Sequence, residues 1–250
     1  MKGRTPRFPR KEAPKAAEKP LFPMRINKYL AHKGYATRTG ADALIEAGKV
    51  FINGVPAVLG AKVEESDMVE VRDSRKPASY LYYAYHKPVG VITHSPQRGE
   101  KEAKEDIPVK GVFPVGRLDK DSYGLLILTN DGRITDRLLN PDYAHDKEYV
   151  VTVRKPLANN WKTRMERGVD IEGYLTKESK VEILDERTFA ITLTEGKKHQ
   201  IRRMCAALGN DVEDLKRVRV MNIRLGDLKP GSYRKIEGAE LTEFLRSLGL

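Results

Sequence analysis

At 250 residues the chain is long enough for two domains, or for one domain with an appendage. Its 40% hydrophobic content suits an ordinary soluble core. No run approaches the roughly 18 apolar residues of a membrane span, and the basic N-terminus leads into no secretory apolar segment. One cysteine, Cys205, excludes an internal disulfide and any multi-cysteine zinc site. With five histidines at no ligand spacing, a metal-free, cofactor-free protein of a reducing cytoplasm is expected. The excess of 46 Lys/Arg over 35 Asp/Glu, a net charge of +11, draws polyanions inward. Nucleic acid is the expected partner, set against a merely soluble basic protein.

Residues 1–23 hold seven Lys/Arg, two Glu and prolines at 6, 9, 14, 20 and 23, with little to bury, and read as a disordered basic tail. From Met24 the texture changes. Ile26, Tyr29 and Leu30 recur at helical spacing until Gly34, and Thr39 is positioned to cap a second helix carrying Ala43, Leu44 and Ile45 that Gly48 ends. Val50-Phe51-Ile52 reads as a strand, and Asn53-Gly54 is a two-residue hairpin signal. Val63, Met68, Val69 and Val71 are expected to continue that sheet. Residues 24–71 thus form a small unit whose six basic and six acidic residues are segregated. Arg25, Lys28, Lys33 and Arg38 lie on the helices, whereas Glu64, Glu65, Asp67 and Glu70 lie near the far end, as in a docking surface for phosphates. "RDSRKPAS", within 72–79, reads as a flexible linker.

The remainder, 80–250, is rich in strands: "YLYYAYHKPVGVIT", "GLLILT", "EYVVTV", "SKVEIL", "TFAITLT" and "RVMNIRL". Phe189, Ile191 and Leu193 alternate onto one face, whereas "GLLILT" has no alternation and is expected to be covered on both sides. Helices are expected around 134–139, 161–167, 200–208 and 241–248. The fold class is α+β, with a mixed, mainly antiparallel sheet flanked by helices.

Three constellations hold reactive groups. In Gly116-Arg117-Leu118-Asp119 a carboxylate precedes the buried strand. The residues alone leave it as a nucleophile or base on a rigid mount, or as a loop aspartate that closes a turn. On a helix, Ile201, Met204, Cys205 and Leu208 of "EGKKHQIRRMCAALG" share an apolar stripe. Cys205 is then a core residue, with Arg202 about 110° and Arg203 about 150° from the stripe. Arg202 has a partly buried carboxylate within reach and Arg203 an RNA phosphate, or both are simply solvated. Tyr149 opens "EYVVTV", where a tyrosine either packs or stacks on an extruded base.

Two resemblances follow from these residues. "RINKYLAHKGYATRTGADALIEAGKVFINGVPA" resembles the alpha-L, or S4-type, RNA-binding module, with Thr37-Arg38-Thr39 where that family usually shows Ser-Arg-Arg. "HKPVGVIT", "GRLDKDSYGLLILTNDG", "KEYVVTV", "EGKKHQIRRMCAALG" and "RVRVMNIRLGDLKPGSYRKI", in that order, resemble the RsuA-like ribosomal RNA pseudouridine synthases. Within that family "DKDS", "QIRRMC" and "VRVMNI" look most like the F-type large-subunit subtype, with Lys197-Lys198-His199 where that subtype has Leu-Asn-Arg. The resemblance implies a pseudouridine synthase catalytic domain in which Asp119 is the nucleophile, Tyr149 stacks on the target uracil and Arg202 pairs with Asp119. Arg117 and Arg203 join Arg25, Lys28, Lys33 and Arg38 as expected RNA contacts, with Arg133 and Lys147 suggested by position only. The implied substrate is a uridine of 23S ribosomal RNA, with a transfer RNA anticodon uridine as a second, and the implied state a monomer with no membrane partner. A synthase acting on 16S ribosomal RNA is one alternative. The other is a non-catalytic RNA-binding or ribosome-assembly protein, against which the intact Asp119, Tyr149 and Arg202 argue.

Overall fold

The computed structural model describes residues 22–72, 79–93, 103–106, 109 and 111–250. All but the last two residues of the expected tail, and all but the ends of the expected linker, lie outside them. The small N-terminal unit runs β1 (Met24–Arg25), α1 (Ile26–His32), α2 (Arg38–Glu46), β2 (Val50–Ile52), β3 (Val55–Pro56), β4 (Lys62–Val63) and β5 (Val69–Val71). Ile26, Leu30, Ala41, Ile45, Val50 and Val63 form its core. The cap of α2 differs from expectation. Thr37, with extended backbone, accepts from the Gly40 amide at 3.0 Å, so the helix begins at Arg38 and Thr39 lies inside it. Asn53 and Gly54 both take positive φ, 52° and 79°, as a two-residue turn between paired β2 and β3 demands. Only part of the expected sheet forms. β5 pairs with β2, but β4 pairs with β1, and Met68 lies exposed between strands.

The larger unit runs β6 (Tyr82–Lys87), β7 (Phe113–Val115), β8 (Tyr123–Thr129), α3 (Arg133–Leu139), β9 (Lys147–Val153), α4 (Trp161–Glu166), β10 (Lys180–Ile183), β11 (Thr188–Leu193), α5 (Gln200–Ala207), β12 (Val212–Val220), β13 (Ile223–Arg224), β14 (Tyr233–Lys235) and α6 (Gly238–Ser247). Nine of these strands make one sheet in the order β10-β11-β9-β12-β8-β6-β14, with β13 on β12 and β7 on β8. Every pairing is antiparallel except β12 with β8. That parallel seam is short, joining Lys216 to Tyr123 and Arg217 to Gly124.

The unpatterned strand β8 is covered on both faces. Leu125 and Ile127 pack with α3 and α6 through Ile134, Leu138 and Phe244, while Leu126 and Leu128 pack against Tyr83 and Tyr85 on the other side. A separate core under α4 and α5 gathers Val151, Trp161, Met165, Phe189, Met204 and Cys205. Cys205 is therefore the core residue its stripe predicts, and burial pushes its thiol up to about 12. The two units touch where Arg133 lies over the Tyr80 ring at 4.2 Å, beside Gly34. Among the described residues no helix is long and apolar enough to cross a membrane.

Candidate active site

A cleft of about 580 Å³ opens between the two halves of the large sheet. One side supplies Val115 to Asp119 and Ile127; the other supplies Tyr149, Leu193, Leu215 and Arg217. The volume is in the range of about 300–1,000 Å³ usual for small ligands.

Asp119 sits on the turn between β7 and β8, which pair as a hairpin. The turn is pinned from several directions. Thr93 Oγ1 donates to the Leu118 carbonyl at 2.8 Å and accepts from the Leu118 amide at 3.2 Å. The Gly90 amide donates to the Lys120 carbonyl at 2.9 Å, and the Ser122 amide to the Asp119 carbonyl at 3.1 Å. Gly116 enters the turn at φ 81°, open to glycine, with Leu139 so close that an added methyl would lie 3.0 Å from it. The result is a carboxylate 40% exposed at its side chain on a backbone with little freedom. Tyr149, half-buried in the same lining, stands in the sheet between Ile191 of β11 and Arg217 of β12.

The Arg202–Asp119 pair implied by the resemblance is not formed. Closing of the turn presents the Asp121 carbonyl and Ser122 hydroxyl to α5, and Arg202 donates to these at 3.1 and 3.4 Å. The side chain within ion-pair distance of Asp119 is instead the imidazole of His199, whose Nε2 lies 3.5 Å from Oδ1. His199 reaches there because it precedes α5 in the left-handed conformation, φ 52°. Glu195 and Gln200 brace that loop: buried Glu195 accepts from Gln200 Nε2 at 2.7 Å, Tyr174 OH at 2.7 Å and the Lys177 amide at 3.0 Å, while Gln200 accepts from the Lys197 amide at 2.8 Å.

The other expected contacts divide. Arg25, Lys28, Lys33, Arg38 and Arg117 are exposed. Arg203 does not extend into solvent as its angle suggested. It reaches back to the Ile171 carbonyl at 2.7 Å and to Glu172 at 2.8 Å, because a loop packs over that flank of α5. Arg133 is committed to fully buried Asp131 through two hydrogen bonds of 2.8 Å. Lys147 lines the cleft, its amine held below the usual lysine range by burial and by nearby Arg217.

Sequence reasoning missed Thr93, His199 and Arg217. Arg217 had one legible signal: on an alternating strand it shares a face with Leu215, which points it inward.

The chain belongs to the RNA pseudouridylate synthase family, which it matches over residues 81–207, and it carries an S4 domain matched over residues 24–69. It is an RsuA-type pseudouridine synthase acting on RNA. Among individual relatives, it is 39% identical over 229 residues to the Dual-specificity RNA pseudouridine synthase RluF of Escherichia coli (strain K12), covering 89% of this chain and 79% of that protein. It is 37% identical over 236 residues to the Ribosomal large subunit pseudouridine synthase B of Bacillus subtilis (strain 168), covering 90% and 96%. A solved structure described as "Crystal structure of pseudouridylate synthase" superposes with a TM-score of 0.67 at 29% identity, covering 90% of this chain and 99% of that one.

Proposed function

We propose that this enzyme converts a specific uridine of 23S ribosomal RNA with Asp119 as nucleophile, and that a transfer RNA anticodon uridine is its second substrate. The observation that carries the reading is a carboxylate fixed by its turn at a cleft that also holds Tyr149. The large-subunit substrate is supported by the name of the Bacillus relative, and the second substrate by the dual specificity named for the Escherichia one.

In the reaction the bond between ribose C1′ and uracil N1 breaks, the base turns, and C1′ bonds to C5. The C5 proton leaves to water or another acceptor and N1 gains one, so the change is an isomerisation with no net redox. Asp119 supplies an electron pair to the nucleoside, at the anomeric carbon or the uracil ring. The target leaves its stack to enter the cleft, and the Tyr149 ring replaces part of the lost stacking. Exposed Arg117 takes a phosphate beside Asp119, and Arg25, Lys28, Lys33 and Arg38 anchor a neighbouring stem. The enzyme works as a cytoplasmic monomer.

Asp119→Asn tests this. Pseudouridine mapping of RNA from cells carrying only the variant is expected to show one large-subunit site lost, with RNA affinity within about twofold of wild type. An unchanged map would leave a binding protein that does no chemistry through Asp119.

A further inference from the structure

The least expected group in the cleft is Arg217. The residue is 4% exposed, yet it lines the cavity, and among the described residues no carboxylate pairs with it. Its donors go to backbone instead: Nε to the Leu125 carbonyl of β8 at 2.7 Å, and one terminal nitrogen to the Arg117 carbonyl at 3.3 Å. The first acceptor lies in the strand behind Asp119, the second two residues before it. One planar guanidinium thus ties the strand to the turn that β8 follows.

The local backbone is shaped around this residue. Arg217 is the sheet neighbour of Tyr149 on one side and of Gly124 on the other. At Gly124, φ 110°, an added methyl would lie 2.2 Å from the Arg217 carbonyl oxygen, so only glycine lets β8 approach. Immediately after Arg217 the register slips by one residue, a bulge at Val218 between the Arg217–Tyr149 and Arg219–Glu148 pairs. Bulges of this kind re-aim side chains beside active sites. The charge is otherwise unhelpful. Arg217 disfavours protonation of Lys87 and Lys147 nearby, and a guanidinium out of water without a counter-charge costs stability that an apolar side chain of equal volume would not.

We infer that Arg217 is a positioning residue for the isomerisation: it holds the Asp119 turn against β8 and sets the Tyr149 strand beside it, fixing the distance between carboxylate and stacking ring. Arg202, committed to Asp121 and Ser122, serves the far end of the same turn. The inference rests on the reading of Asp119 and Tyr149 given above. Its signature is a loss in the chemical step rather than in RNA binding, because Arg217 is buried beneath the groups an RNA meets first.

The test uses the full-length chain with Arg217→Met and Arg217→Lys, with Asp119→Asn beside them. Single-turnover pseudouridine formation on ribosomal RNA, RNA Kd and the denaturation midpoint are measured for each. Arg217→Met removes both donors at similar volume. It is expected to lower the single-turnover rate more than tenfold, with Kd within twofold and a midpoint near wild type. Arg217→Lys keeps one donor and is expected to recover part of the rate, which also decides the matter should the methionine variant not fold. A Met variant within threefold of the wild-type rate overturns the inference. So does a rate loss that both variants share equally and that follows a fallen midpoint, which would mark Arg217 as structural only. Should Asp119→Asn stay active, the reading beneath fails instead, whatever the Arg217 variants do.

Discussion

Lys87 has no exposed surface, and its amine donates to the carbonyls of Pro88 at 2.9 Å and Val91 at 2.7 Å beneath the Asp119 turn. Burial outweighs the attraction of Asp119 and Asp121 and brings the amine down from 10.5 to about 8. Below about 8 the folded and unfolded forms both hold the proton, and the charged amine is buried at full cost. Between there and 10.5 the unfolded chain binds more protons, so this contribution to stability rises with pH. The stability difference between wild type and Lys87→Met should therefore move in favour of wild type from pH 8 to pH 10, as followed by urea denaturation. A difference independent of pH would mean the amine titrates in the fold as it does in the unfolded chain. At this scale the placement of Asp119 before a buried strand, of Tyr149 in β9 and of Cys205 in the core was legible because neighbours in sequence define it. His199 was not, since only the backbone turn before α5 aims it at Asp119.

The parallel seam of β8 and β12 decides whether the two half-sheets become one. A methyl on Gly124 would meet Arg217 backbone at 2.2 and 2.7 Å, and strand backbone has nowhere to move without parting the seam. Gly124→Ala should lose more than about 3 kcal/mol. Gly196→Ala, where the added methyl meets open space, should stay within about 0.5 kcal/mol. Equilibrium unfolding of both checks the pair, and equal midpoints would mean the seam is not tight. Elements with a strong period, an unbroken apolar run or a turn signal could be read directly: β11 and α5, β8, and the Asn53-Gly54 hairpin. β7 could not, being three residues long around Pro114, nor could the polar first half of β12. Their pairing is set by strands far away in the chain, not by their own propensity.

Across the whole molecule, the charge of +11 is unevenly available. Arg203, Arg219 and Arg234 are spent on carboxylates, whereas Arg25, Lys28, Lys33 and Arg38 stand exposed on the S4 unit. Replacing these four by Gln should flatten the log–log dependence of RNA affinity on salt by about 0.7–0.9 for each phosphate contact removed. A titration series from low to moderate salt measures the slope. An unaltered slope would move the phosphate contacts off this face.

The sequence by itself determined the two-unit plan, the α+β class, the family and the place of Asp119 just before a buried strand, because hydrophobic period, turn residues and motif order are local properties that need no knowledge of packing. The tertiary structure alone decided which basic side chains stand around that aspartate and its turn. Arg217 meets the Arg117 carbonyl across 100 residues of chain, and a glycine and a bulge set the register that brings them together. Helical angle put Arg202 on the correct rim of α5, but angle carries no information about which atoms of the opposing turn face it. Hydrogen-bond geometry does, and there the nearer acceptors were a carbonyl and a hydroxyl.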